Sequence, residues 1–236
     1  MHRKERCIVT RPQAQLFDRL SASDRLYDYE KNALERINAL VPDKGRVLDL
    51  GCGDGIIGAA FDTAFVVGVD VSFRCARLSG AKGIRAIVGD ATEALPFAAE
   101  AFDTVFCVDV LHHLEQKWEG VFAELDRVLR PGGTMAIVEP DARNPFVRWT
   151  QAPGSPIRVA PFDNEPAIYP DELSPHLLGL GYEVSYSQIH ILGEQVERSV
   201  FPLWQRIAKA PFTLALAYWY RNMPNKFAMI ARKPCR

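Results

Sequence analysis

Val47-Leu48-Asp49-Leu50-Gly51-Cys52-Gly53-Asp54-Gly55 decides the reading of this chain. Its first half is a short apolar run with a branched residue, the pattern of a strand buried on both faces. The run stops in three alternating glycines, and Ile56-Ile57-Gly58-Ala59-Ala60 then reads as the start of a helix. A glycine turn of this kind permits positive φ and lets another molecule approach bare backbone. A helix start beyond it would add unpaired N–H groups.

Further strands follow at regular intervals. Phe65–Asp70, Arg85–Asp90, Phe102–Val110 and Thr134–Pro140 are apolar runs, each separated from the next by a turn or a helical stretch. Trp118, Val121, Phe122, Leu125, Val128 and Leu129 recur at helical spacing, and Pro131-Gly132-Gly133 is expected to break that helix. Upstream, Leu26, Ala33, Ile37, Leu40 and Val41 form the stripe of a helix from Asp24 that Pro42-Asp43-Lys44-Gly45 closes. Tyr27 and Tyr29 on it either roof a pocket or pack the helix. Strands alternating with helices give an α/β fold with a mostly parallel sheet covered on both faces.

Composition narrows the class. The 236 residues suit one large domain, and 48% hydrophobic with 24% charged residues is ordinary for a globular protein. A net charge of −1 argues against a nucleic-acid footprint. Five scattered cysteines, with no pair at zinc-ligand spacing, suggest reduced thiols and a cytoplasmic setting. Basic residues near Met1 precede no apolar core, so no signal peptide is expected, and no apolar stretch is long enough to span a bilayer.

Two strand ends carry candidate ligand groups. Asp70 lies 19 residues beyond Gly51, where an acidic residue can accept both hydroxyls of a ribose; its alternative is to cap the next helix, a task for which Ser72 is better placed. Asp90-Ala91 occupies the matching end of the third strand, as a ligand contact or a turn aspartate. The glycine loop itself has three readings. Gly53-Asp54-Gly55-Ile56-Ile57-Gly58 satisfies the dinucleotide fingerprint, which implies a nicotinamide-dependent oxidoreductase. A glycine-rich turn without a ligand, in a non-catalytic module, is the plainest.

The third reading rests on the whole phrase Leu48–Gly55, with Asp70, Gly89-Asp90, the Phe102–Leu114 block and Arg127-Val128-Leu129-Arg130-Pro131-Gly132-Gly133 in that order. Together these resemble the small-molecule branch of the class I S-adenosylmethionine-dependent methyltransferases (methyltransferase type 11-like), closely over residues 45–140. The resemblance implies a Rossmann-like three-layer sandwich with seven strands, the last antiparallel and inserted between the fifth and sixth. Tyr182–Leu192, after a helix over Asp171–Leu180, then serves as the sixth strand and Asn225–Arg232 as the seventh. It also implies S-adenosylmethionine as cofactor, held by Asp49, Gly51, Cys52, Gly53, Gly55, Asp70, Val71, Asp90, Ala91 and Val108. Asp90 would face the adenine amino group, and carbonyls near Gly51 and Val108 would hold the cofactor's ammonium.

Catalytic candidates follow the fourth and fifth strands. His113 and its neighbour His112 sit beside the expected methyl group, where a histidine near its ordinary pKa suits a general base or a substrate contact. Glu139 is a second candidate base or a brace for the loop after it. Cys52 reads as a small loop residue, since nothing adjacent would lower its pKa. No metal-ligand constellation stands out.

The whole chain is thus read as one methyltransferase domain. Residues 1–44 form a helical arm, 45–140 the cofactor core, 141–170 a proline-rich lid-like loop, and 193–224 a helical insertion over the substrate side. In the insertion, Val196, Val200, Leu203, Trp204 and Ile207 make an apolar stripe, with Arg206, Lys209 and Arg221 nearby. That pattern either covers a small-molecule pocket or touches a membrane that presents a lipid-linked acceptor. The acceptor atom and the oligomeric state are not legible.

Overall fold

The computed structural model describes residues 15, 18, 31–114, 117–152, 166–190 and 224–235. Helix α1 (Lys31–Ala39) leads into β1 (Val47–Leu50), β2 (Val66–Asp70), α2 (Phe73–Ala81), β3 (Arg85–Val88) and β4 (Phe102–Val108). Then come α3 (Trp118–Val128), β5 (Leu129–Pro140), α4 (Pro145–Gln151), α5 (Pro170–Gly179), β6 (Glu183–Ile189) and β7 (Lys226–Arg232). Seven strands form one sheet in the order β3-β2-β1-β4-β5-β7-β6. β1 to β5 pair in parallel, while β7 runs antiparallel to both β5 and β6. This is the expected three-layer α/β arrangement, with the last strand inserted between the fifth and sixth.

The apolar runs explain the burial. Leu48, Leu50, Val67, Val69, Val105, Cys107, Met135 and Ile137 fill one face of the sheet with Val121, Phe122, Leu125 and Val128 of α3. Val47, Phe106, Val108, Ala136, Val138 and Ala228 fill the other, under Ala33 and Ile37 of α1 and Phe61. Alternate residues of one strand serve opposite layers, so neither face can turn to water. Ser72 caps α2, its Oγ accepting from Cys75 N at 3.1 Å.

Three expectations are corrected. Residues 56–60 do not start an α-helix; a single 3₁₀ turn at Gly58–Ala60 stands in its place. Phe61 leaves that turn extended, at ψ 135, and its ring packs against Phe106 at 4.3 Å between centroids, so burial of the aromatic ends the turn. The fifth strand begins at Leu129 and not at Thr134. Leu129 pairs with Phe102 and Thr134 with Thr104, so Pro131-Gly132-Gly133 is a bulge inside the strand, with Gly132 at φ +70. Residues 141–170 are not loop throughout, because Asn144 caps α4 by accepting from Phe146 N at 2.9 Å, with Pro145 at the first helical position. The segment returns to the sheet where Ile168 N donates to Pro140 O at 3.0 Å.

Leu26, Tyr27 and Tyr29, residues 153–165, and the insertion apart from Pro224 lie outside the described residues. Among those described, no helix is long and apolar enough to cross a membrane.

Candidate active site

The loop after β1 folds as its glycines demand. Gly51, Gly53 and Gly55 take φ +69, +52 and +80, a region where a side chain is strained. A Cβ on Gly51 would stand 2.5 Å from Cγ2 of Val110, so the loop lies directly on the segment leaving β4. The amides of Gly51 and Cys52 both donate to Val69 O, at 2.8 and 3.1 Å, which ties the loop to β2 as well.

Neighbouring strand ends bring the sequence candidates to this loop. Asp70 Oδ2 accepts from Gly53 N at 2.9 Å and Oδ1 from Ser72 N at 2.8 Å. Gly89 N donates to Asp70 O at 2.9 Å, which places Asp90-Ala91 beside it. Asp90 Oδ1 accepts from both the amide and the hydroxyl of Thr92 at 2.9 Å, the turn geometry anticipated as its alternative. Val71 and Ala91 are half-buried and Val108 is buried. Asp18 is an unforeseen neighbour. Its carboxylate accepts from Ser72 Oγ and from Arg74 N, at 3.1 Å for the latter, and so adds a second cap to α2 from the N-terminal arm. No local signal in that mixed polar stretch marks it.

The charge at this edge is negative. Asp49 is buried within β1, its Oδ2 meets no hydrogen-bond partner among the described residues, and that oxygen faces the place where a Cβ on Gly58 would stand, at 2.8 Å. Burial, then the nearby Asp70, push its carboxyl up to about 7 against the opposing effect of the Gly58 amide. Burial and the same two aspartates push the Cys52 thiol up, so it supplies no thiolate. Two aspartates at this edge, one of them hydrogen-bonded to the glycine loop, suit a ligand that carries positive charge, as the ammonium and sulfonium of S-adenosylmethionine do. A pyrophosphate would meet two aspartates and no α-helix N-terminus, which counts against the dinucleotide reading.

The ends of β4 and β5 form a second cluster. Asp109 adopts φ +53, tolerable for aspartate, and donates its amide to Val138 O at 2.9 Å. Glu139, fully buried, accepts from Val110 N at 2.9 Å and Leu111 N at 2.7 Å through Oε1. Its Oε2 meets His112 Nδ1 at 2.6 Å. The His112 and His113 rings lie 3.9 Å apart. Burial, then His112, hold His113 down at about 3, well away from the ordinary value assumed for a base. Lys226, the first residue of β7, places its ammonium on Asp109 Oδ1. Donor atoms of Asp109, His112 and Glu139 come within 4.8 Å of one another, a grouping invisible in chain spacing, and the Lys226 ammonium stands against it.

Comparison with known proteins agrees with this geometry. Residues 48–137 match the family model described as a methyltransferase domain. The tRNA (carboxymethyluridine(34)-5-O)-methyltransferase of Arabidopsis thaliana is 30% identical over 142 residues, 53% of this chain and 35% of that protein. The malonyl-[acyl-carrier protein] O-methyltransferase of Methylococcus capsulatus is 36% identical over 129 residues, 51% of this chain and 46% of that protein. The chain thus spans less than half the length of either. A SAM-dependent methyltransferase from Archaeoglobus fulgidus has the same fold, with a TM-score of 0.62 at 18% identity over 86% of this chain and 94% of that one.

Proposed function

We propose that the core of this chain is a class I S-adenosylmethionine-dependent methyltransferase domain and that the protein methylates a small-molecule or lipid-linked acceptor. The observation that carries the proposal is the glycine loop with Asp70 hydrogen-bonded to Gly53 and the carboxyl of Asp49 buried nearby. When bound, S-adenosylmethionine supplies a methyl carbon made electrophilic by a sulfonium sulfur.

The chain's own task is positioning. Asp70 keeps lone pairs for ribose hydroxyls beyond the two amides it already holds, and Asp90 and Ala91 serve the adenine. Gly53 and Gly55 admit the ligand against backbone, with Cys52 as small filling, while carbonyls of Gly51 and Val108 receive the ammonium. Val71 packs beside the adenosine. Glu139 and His112 hold the turn after β4 in shape, and His113 borders the acceptor as a neutral imidazole.

The near-zero net charge supports a small or lipid-linked acceptor over RNA, and the aromatic run ending at Tyr220 supports an apolar one. The protein is proposed to work in the cytoplasm, with 193–224 meeting either the acceptor or a membrane surface.

Calorimetry with S-adenosylhomocysteine and with NAD is the test. Tight binding of the first and none of the second is expected; the reverse would sink the proposal. His113→Ala should lower turnover with little change in cofactor affinity. Flotation with anionic liposomes tests the membrane contact, which failure to float would remove. A tRNA pool that is methylated in preference to small acids would overturn the choice of acceptor.

A further inference from the structure

We propose that the acceptor is a carboxylic acid, bound as its carboxylate against the Lys226 ammonium and methylated on oxygen. The inference rests on the methyl-transfer reading above and names the substrate class of that same site.

The first argument concerns protons. An alcohol, an ammonium or an activated carbon must lose a proton to become a nucleophile, which requires a base within hydrogen-bond reach. A carboxylic acid, with an ordinary pKa of about 4, arrives already ionised. Around the end of β4, the groups among the described residues that could take a proton are engaged. Glu139 Oε1 holds two amides and Oε2 holds His112, in a carboxylate with no exposure to solvent. Asp109 holds Lys226. Burial leaves His113 a weak base.

The second argument concerns Lys226. β7 enters the sheet with Lys226 opposite Pro140, so its side chain reaches past the end of β5 to Asp109 at the end of β4. The side chain is only 13% exposed. An ammonium carries three N–H donors, of which Asp109 takes one, and no other acceptor meets it among the described residues. Donors held in such a place suit an anionic oxygen.

The step balances without a proton. A carboxylate lone pair forms the O–C bond to the methyl carbon as the C–S pair returns to sulfur. The products are a methyl ester and a neutral thioether.

The experiment uses three probes that differ only in the head group: dodecanoic acid, dodecan-1-ol and dodecylamine, each with tritiated-methyl S-adenosylmethionine at neutral pH. Label is expected on the acid alone, and alkali should release it as volatile methanol. Calorimetry of dodecanoate on the S-adenosylhomocysteine complex gives a second readout. There Lys226→Gln should weaken dodecanoate by about tenfold or more, Lys226→Arg should recover part, and affinity for S-adenosylhomocysteine should hold. Because Lys226→Gln strands Asp109, the double variant Asp109→Asn/Lys226→Gln removes both charges and should show the same loss. Label on the alcohol or amine, alkali-stable label, label on none of the three, or dodecanoate binding indifferent to Lys226 would each overturn the inference. A protein that binds no S-adenosylhomocysteine instead sinks the methyltransferase reading itself.

Discussion

Glu139 Oε2 and His112 Nδ1 meet at 2.6 Å, with the carboxylate wholly buried and the imidazole nearly so. The other carboxylate oxygen gathers the amides of Val110 and Leu111, so a single side chain on β5 fixes the turn that leaves β4. Glu139→Ala should therefore strand two buried amides and an imidazole, at a cost of about 3–5 kcal/mol in unfolding free energy. Glu139→Gln keeps an acceptor for the amides and can donate to the other imidazole tautomer, so its loss should be about 1–2 kcal/mol. Urea denaturation of both variants checks this. An Ala variant as stable as the parent would remove Glu139 as the brace.

Asp49 gives a pH dependence with a definite sign. Its carboxyl ionises near 3.8 in the unfolded chain and is raised to about 7 in the fold. Between those values the folded state keeps a proton that the unfolded state has released, so stability falls as pH rises through that window and levels off above it. The whole window is worth on the order of 4 kcal/mol. Asp49→Asn lacks this penalty. The difference in urea stability between variant and parent should grow in the variant's favour from pH 4 to pH 7, other groups cancelling. A difference independent of pH would show that Asp49 stays ionised.

The contrast between what could be read in the chain and what could not follows contact distance. Strands β1, β2, β4 and β5 announce themselves because parallel strands covered on both faces must be apolar throughout. The glycines at 51, 53 and 55 likewise declare a left-handed turn. The Lys226–Asp109 contact joins residues 117 positions apart, and it exists only because β7 is inserted beside β5 in one register. Nothing local encodes that. The failed helix at 56–60 is a different case, in which the burial of Phe61 against Phe106 overrides a locally acceptable pattern.

Gly51 tests the joint between loop and turn. Its φ of +69 would cost an alanine about 1–2 kcal/mol, and the new Cβ would lie 2.5 Å from Val110 Cγ2. Val110 cannot easily retreat, since Glu139 holds its amide. Gly51→Ala should cost about 2–4 kcal/mol in all and weaken S-adenosylhomocysteine binding. Adding Val110→Ala removes Cγ2 but leaves Cβ at 2.7 Å, so recovery should be partial. Thermal melts and calorimetry on the pair measure both effects. Full recovery would mean that backbone strain contributes little.

Asp70 is the residue whose role most needs separating from its surroundings, because its two oxygens already hold Gly53 N and Ser72 N. Asp70→Ala should weaken S-adenosylhomocysteine by about 1–3 kcal/mol whether the lost group bonds a ribose or merely shapes the loop. The 2′-deoxy analogue of that ligand divides the two cases. If the carboxylate accepts from the ribose, the parent should prefer the hydroxylated ligand and the variant should bind both alike, giving a coupling energy of about 1 kcal/mol or more in the resulting cycle. A loop brace predicts the same fall for both ligands. Equal losses would take Asp70 out of the ribose contact and leave it as the clasp between the glycine loop and α2.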